Sequence, residues 1–163
     1  MNLVEYPNTE RDEEWPAGPW DDEPGKRVWI DDDTGLDCLM VRNRYGVWCG
    51  YVGVPPEHPY HGRDYDDMNV DVHGGLTFAA GCQEGLPPEI GICHTPVAGR
   101  PDNVWWLGFD TGHFMDYQPR MAALEKEIPE FPDIMRDCTY RDVAYVETEV
   151  ANLARQLALR DVP

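Results

Sequence analysis

A chain of 163 residues is long enough to bury one hydrophobic core and too short for two ordinary domains, so a single domain is expected. With 13 basic against 31 acidic residues and a net charge of -18, no continuous basic surface can form to grip a phosphate backbone, which excludes direct nucleic-acid binding. No apolar run reaches membrane-spanning length and no basic-then-apolar leader opens the chain, so no membrane association and a cytoplasmic location are expected.

Residues 1–25 hold eight acids and one base, loosened by Pro7, Pro16, Pro19 and Pro24, and read as a flexible acidic arm ahead of a domain over 26–163. Trp15 and Trp20 are costly to leave in water and should fold back onto the domain or a second subunit, which also admits a homo-oligomer. Arg27-Val28-Trp29-Ile30 predicts a short strand, and Asp31-Asp32-Asp33-Thr34-Gly35 a solvated turn without the alternating ligands of a calcium loop. Leu36 to Arg42 and Val47 to Val54 predict an antiparallel pair joined by Asn43-Arg44-Tyr45-Gly46. The proline-rich stretch from Val54 to Gly62 cannot continue a ladder, and its His58, Tyr60 and His61 suit a lid or a plain surface connection.

One helical turn is expected over Arg63 to Met68. Asn69 to His73 then alternates as a strand with His73 on its polar side. Gly74-Gly75 predicts positive φ or a bulge, and Leu76 to Ala79 resumes as strand. Ile90 to Thr95 reads as a short edge strand, Val97 to Asn103 as a turn region, and Val104 to Phe109 as a central strand buried on both faces. Tyr117 to Ile128 predicts a weak helix opened by Pro119. Thr139 with Asp142 predicts a cap, and Val143, Val146, Val150, Leu153 and Leu157 recur at helical steps to about Leu159. Arg141 stands at the end where the helix dipole disfavours a cation. These elements predict an α+β domain, an antiparallel or mixed sheet with the C-terminal helix packed across one face. Cys38, Cys49, Cys82, Cys93 and Cys138 are odd in number and without a CxxC pair, so mostly reduced, buried thiols are expected.

Chemistry concentrates in His73-Gly74-Gly75-Leu76-Thr77-Phe78 and in Trp105 to Asp116, where apolar runs hand over to small residues with ionisable neighbours. If the two segments meet, His73, Asp110, His113 and Asp116 offer two imidazoles and two carboxylates, a set suited to a divalent transition metal. A metal-bound water would then make a hydrolase of a small phosphorylated or amide substrate. Without metal, Asp110 orients His113 or His73 as a general base toward Thr77 or a water. Binding without turnover uses the same place. The Gly74 and Gly75 backbone, His73, Thr77, Asp110 and His113 would hold a small ligand, with ring faces from Trp105, Trp106, Tyr51, Tyr60 or Tyr65 and His58 from the lid. A bulge between two strands with the aromatics in the core is the structural alternative.

The segments Tyr51 to Pro55, His58-Pro59, Val72 to Phe78, Trp105 to Asp110 with His113 and Asp116, and Tyr145-Val146 resemble a family of small proteins of phages, prophages and bacterial genomes. The resemblance runs from about residue 45 to the end. It implies a phage or mobile-element origin and a place in the bacterial host's cytoplasm, and brings no activity with it. Thr111-Gly112 stands where that family has Cys-Ala, so no thiol role is implied there. The leading expectation is a phage-type accessory protein, serving counter-defence, that sequesters a nucleotide-like ligand, with Arg63, Arg100 and Arg120 offsetting the negative field. The alternatives are the metal-assisted hydrolase and an acidic inhibitor that occupies a host protein's nucleic-acid site.

Overall fold

The β-branched and aromatic runs in the middle of the chain form strands, as side chains that fit a pleated, half-buried surface should. The computed structural model, which describes residues 3–93 and 103–159, contains β1 (Val4–Tyr6), β2 (Lys26–Ile30), β3 (Asp37–Arg42), β4 (Trp48–Val54), β5 (Phe78–Ala80) and β6 (Trp105–Asp110), with α1 (Pro119–Glu127) and α2 (Val143–Leu159). The strands make one antiparallel sheet in the order β1-β2-β3-β4-β6-β5, and α2 crosses β3 and β4. Asp31 Oδ2 accepts from the Thr34 amide and hydroxyl, so the aspartate run is the expected turn.

β3 and β4 are buried along their whole length because both faces of the sheet are covered. On the α2 face, Cys38, Met40, Trp48, Val52, Leu107 and Phe109 pack against Val146, Val150, Leu153 and Leu157. Each fully buried side chain of this kind stabilises the fold by roughly 1.5–3 kcal/mol. Gly50 permits this approach: a Cβ there would stand 2.6 Å from the Phe109 ring and 2.7 Å from Val150. On the opposite face Val28, Leu39, Val41, Tyr51 and Trp106 are covered by Ile92.

That second cover corrects the cysteine expectation for Cys82 and Cys93, which form a disulfide, while Cys38 and Cys49 are free and buried as expected and Cys138 is free and half-buried. The chain between the two cysteines turns back on itself, with the Gln83 amide donating to the Ile92 carbonyl and the Ile92 amide to the Gln83 side chain. This puts the two thiols side by side where an edge strand was expected; Thr95 and most of Val97 to Asn103 lie outside the described residues. Lys26, 2% exposed, reaches up from β2 to donate to the carbonyls of Pro88 and Gly91, both at 2.7 Å, and of Cys93 at 3.4 Å. Burial pushes its ammonium down to about 8.

The acidic N-terminal stretch is not a loose arm over its described residues. β1 pairs with β2, and Trp15 and Trp20 are buried on the domain's own Ala123, Tyr117 and Tyr140, so they dock in cis. Glu23 goes further: its carboxylate accepts from the Val143 amide at 2.7 Å, from Arg42 at 3.2 Å and from the Tyr140 hydroxyl. It thereby fills an orphan donor at the start of α2. Asp142 caps the helix by accepting from the Tyr145 amide at 2.9 Å, and Thr139 instead bridges in parallel to Asp116, so the helix begins later than expected. Residues 69–73 are irregular, not a strand, because α2 takes the backbone groups that a ladder would need: Asp71 donates to Gln156, and Asn152 and Gln156 donate to its carbonyl.

Candidate functional site

At its C-terminal end β6 leaves the sheet through Asp110, and the approach to β5 runs beside it, with the Thr77 amide donating to the Gly108 carbonyl at 2.9 Å. The two motifs therefore meet, with the His73 and His113 ring centroids 6.1 Å apart. The chain around His113 to Asp116 is a tight turn closed by the Asp116 amide on the His113 carbonyl, with Met115 at φ 73. Positive φ on a non-glycine residue is strain that the surroundings must hold. They do: Met115 and Tyr117 exchange backbone hydrogen bonds with Thr139, which delivers Arg141 and the first turn of α2 to the same place.

An inner, buried layer is centred on Asp116, 1% exposed. Its carboxylate accepts from His73 Nε2 at 2.7 Å, Arg141 Nε at 3.0 Å and the His113 amide at 3.0 Å. Because a carboxylate only accepts, Nε2 of His73 carries the proton, and Nδ1 accepts from the Tyr145 hydroxyl at 2.7 Å. Arg141 stacks over the Tyr145 ring at 4.8 Å, and burial with the nearby Glu149 raises the Tyr145 phenol. The cation at the wrong end of the helix is thus paired with Asp116 rather than with the dipole. The carboxylate on His73 is Asp116, not Asp110, which corrects the sequence assignment for that ring.

An outer layer faces solvent. Asp110 accepts from the exposed Thr77 hydroxyl at 3.0 Å and from the Gly112 amide at 2.9 Å. His113 Nε2 lies 3.1 Å from Asp110 but off the N–H axis, and this buried nitrogen has no aligned hydrogen-bond partner. The close distance is a charge contact only, and geometry decides against a hydrogen bond. Gly74 packs closely against this ring: a Cβ there would stand 2.3 Å from His113 Cδ2, and its φ of +69 also calls for glycine. Gly75, at φ +78, has open space on its Cβ side. Phe114 stands beside His113 with 91% of its surface exposed.

Several expected contacts are elsewhere. Trp106 and Tyr51 are buried in the second sheet face, so neither presents a ring to a ligand. His58 is buried too: Nδ1 accepts from the Tyr60 amide and Nε2 donates to the Leu157 carbonyl at 2.9 Å, so it ties its loop to the end of α2 instead of forming a lid. Trp105 Nε1 donates to the Arg63 carbonyl, Arg120 pairs with Asp12 at 3.7 Å, and Arg100 lies outside the described residues. Thr111 is buried with its hydroxyl on the Trp48 carbonyl, a packing role. Hollows of about 360 and 190 Å³ lie away from this place.

Among the described residues no group of three or more His, Cys, Asp or Glu side chains is arranged to hold a metal ion. The reason is visible at His73 and Asp116, which spend both nitrogens and both oxygens on each other and on their neighbours. Among the described residues no helix is long and apolar enough to cross a membrane. No family model, curated protein or solved structure matches the chain.

Proposed function

We propose that the chain is a phage-type accessory protein that holds a small, neutral, hydroxyl-rich ligand, of nucleoside type, on the face formed by Thr77, Asp110 and His113, with Phe114 as the stacking ring. The observation that carries this reading is the two-layered construction: solvent-facing polar groups held by a buried network whose donors and acceptors are matched. Such support is what keeps a binding surface in one geometry before the ligand arrives. Asp110 accepts from sugar hydroxyls, and the exposed part of the His113 ring supplies a further contact surface. The charge balance selects against phosphate, because Asp110, Asp116 and Glu149 stand here with Arg141 as the paired cation among the described residues, in a chain of net charge -18. The nucleotide of the sequence expectation thereby narrows to an uncharged relative. Equilibrium binding of nucleosides, free pentoses and nucleoside 5′-phosphates to the whole chain tests it. Nucleosides should bind, each phosphate should weaken binding, and His113→Ala should remove it. Tighter binding of the phosphorylated compounds, or none of any, refutes the reading.

A second reading, turnover at the same face, is favoured by one observation. Asp116 on Nε2 leaves His73 Nδ1 as a base toward the Tyr145 hydroxyl, so the proton His73 can take is that of Tyr145, which would be the group that meets the bound compound or a water. Release of free base or sugar from the bound compound, lost in His73→Gln, distinguishes turnover from sequestration.

A further inference from the structure

Between α1 and the short 3-10 helix Met135–Asp137 the chain repeats a three-residue pattern of acid, large apolar residue and proline: Glu127-Ile128-Pro129, Glu130-Phe131-Pro132, then Asp133-Ile134. Every residue from 126 to 134 is exposed, and the three apolar side chains show 47%, 38% and 52% of their surface for Ile128, Phe131 and Ile134. Single exposed apolar residues are ordinary, but three on one short segment are a marker of contact with another molecule. The segment is held in shape: the Phe131 amide donates to the Ile128 carbonyl at 2.9 Å, and Glu125 accepts from the Ile134 and Met135 amides at 3.0 and 3.2 Å. With the two prolines, this lowers the ordering cost of association. Phe131 also borders the hollow of about 360 Å³, whose walls include Tyr117, Ala122 and Met135.

We propose that residues 127–134 and this hollow form a docking surface for a protein partner that presents apolar side chains within a basic rim. Charge decides the occupant. Residues 125–137 carry five acids, Glu125, Glu127, Glu130, Asp133 and Asp137, against Lys126 and Arg136, so the apolar points stand in a negative field. A second copy of the chain brings the same field and is repelled, whereas a basic partner is steered in and its apolar groups are then buried. The surface is separate from the His73 site and does not depend on the ligand reading.

The test uses the whole 15N-labelled chain titrated with three synthetic amphipathic peptides of equal length, built from Leu and Lys, Ser and Lys, and Leu and Glu. The Leu/Lys peptide should bind with amide shifts confined to 125–137 and to Tyr117 and Ala122 in the wall of the hollow. Phe131→Ser with Ile134→Ser should weaken it by about tenfold, as loss of central anchors does, while the unfolding midpoint stays unchanged. Glu130→Lys with Asp133→Lys should transfer the preference to the Leu/Glu peptide. Equal binding of the Ser/Lys peptide, shifts elsewhere, or indifference to both variants overturns the proposal. So does concentration-dependent self-association that Phe131→Ser abolishes, which would give the surface to a second copy.

Discussion

Replacing Asp116 by Asn keeps the shape of the buried side chain and turns one of its two acceptor atoms into a donor. In the native chain three donors converge on the carboxylate, two of them, His73 Nε2 and Arg141 Nε, in charge-assisted bonds at 2.7 and 3.0 Å. Bonds to a charged group contribute about 1.5–3 kcal/mol and neutral ones about 1 kcal/mol. Weakening two of them should therefore cost about 2–3 kcal/mol, read as a drop of about 5–10 °C in Tm for a domain of this size. The amide also has one sensible orientation. His73 Nε2 and the His113 amide both donate to Oδ2, so the Asn oxygen stays there and Nδ2 faces Arg141, a donor against a donor that pushes the guanidinium away. Urea unfolding measures the first effect and the Arg141 Nε–H signal in 15N spectra the second. A loss under 0.5 kcal/mol together with an unchanged Arg141 Nε–H signal would show that the buried layer does not hold the site.

Gly74→Ala should lose about 1–3 kcal/mol from strain at positive φ and displace the His113 ring, seen as a shifted imidazole signal. Cys82→Ser with Cys93→Ser opens a loop closed over a sequence separation of 11 and should cost about 2–3 kcal/mol in urea unfolding, with fluorescence reporting Trp106 beneath the loop; a Tm unchanged by the substitutions contradicts this. The alkaline limb follows from burial, which raises Cys49 to about 12 and Cys38, Tyr51 and Tyr140 as well. The unfolded chain releases those protons from about pH 9, so this stability is complete below that pH and is lost as pH rises. Lys26, lowered to about 8, acts the opposite way between about 8 and 10.5, one group against four. The urea midpoint should fall between pH 9 and 11; a rise there contradicts the assignment.

The strands and the last helix were legible because their signals are local. Val28 to Ile30, Leu39 to Val41 and Trp105 to Phe109 carry strand composition, and Val146, Val150, Leu153 and Leu157 recur at helical spacing. That the two glycine-bearing motifs share a surface was also readable, since both adjoin strands of one sheet. What escaped depends on pairs distant in sequence. Glu23 caps a helix 120 residues on, and Cys82 reaches Cys93 only because its loop doubles back. Composition made residues 3–25 look mobile, yet Trp15 and Trp20 bury enough surface to outweigh the prolines and like charges. Arg141 left a usable trace: a cation at a helix N-terminus needs a carboxylate partner, and Asp116 is that partner.

The most direct test of the central claim records the five imidazoles of the 15N-labelled chain while adenosine, and separately its 5′-phosphate, is added. If the outer layer is the binding face, His113 moves with adenosine, His73 keeps its tautomer and His58 is silent, with weaker effects from the phosphate. Movement of His58 or His61 in place of His113, or a stronger response to the phosphate, would place recognition elsewhere and contradict the account.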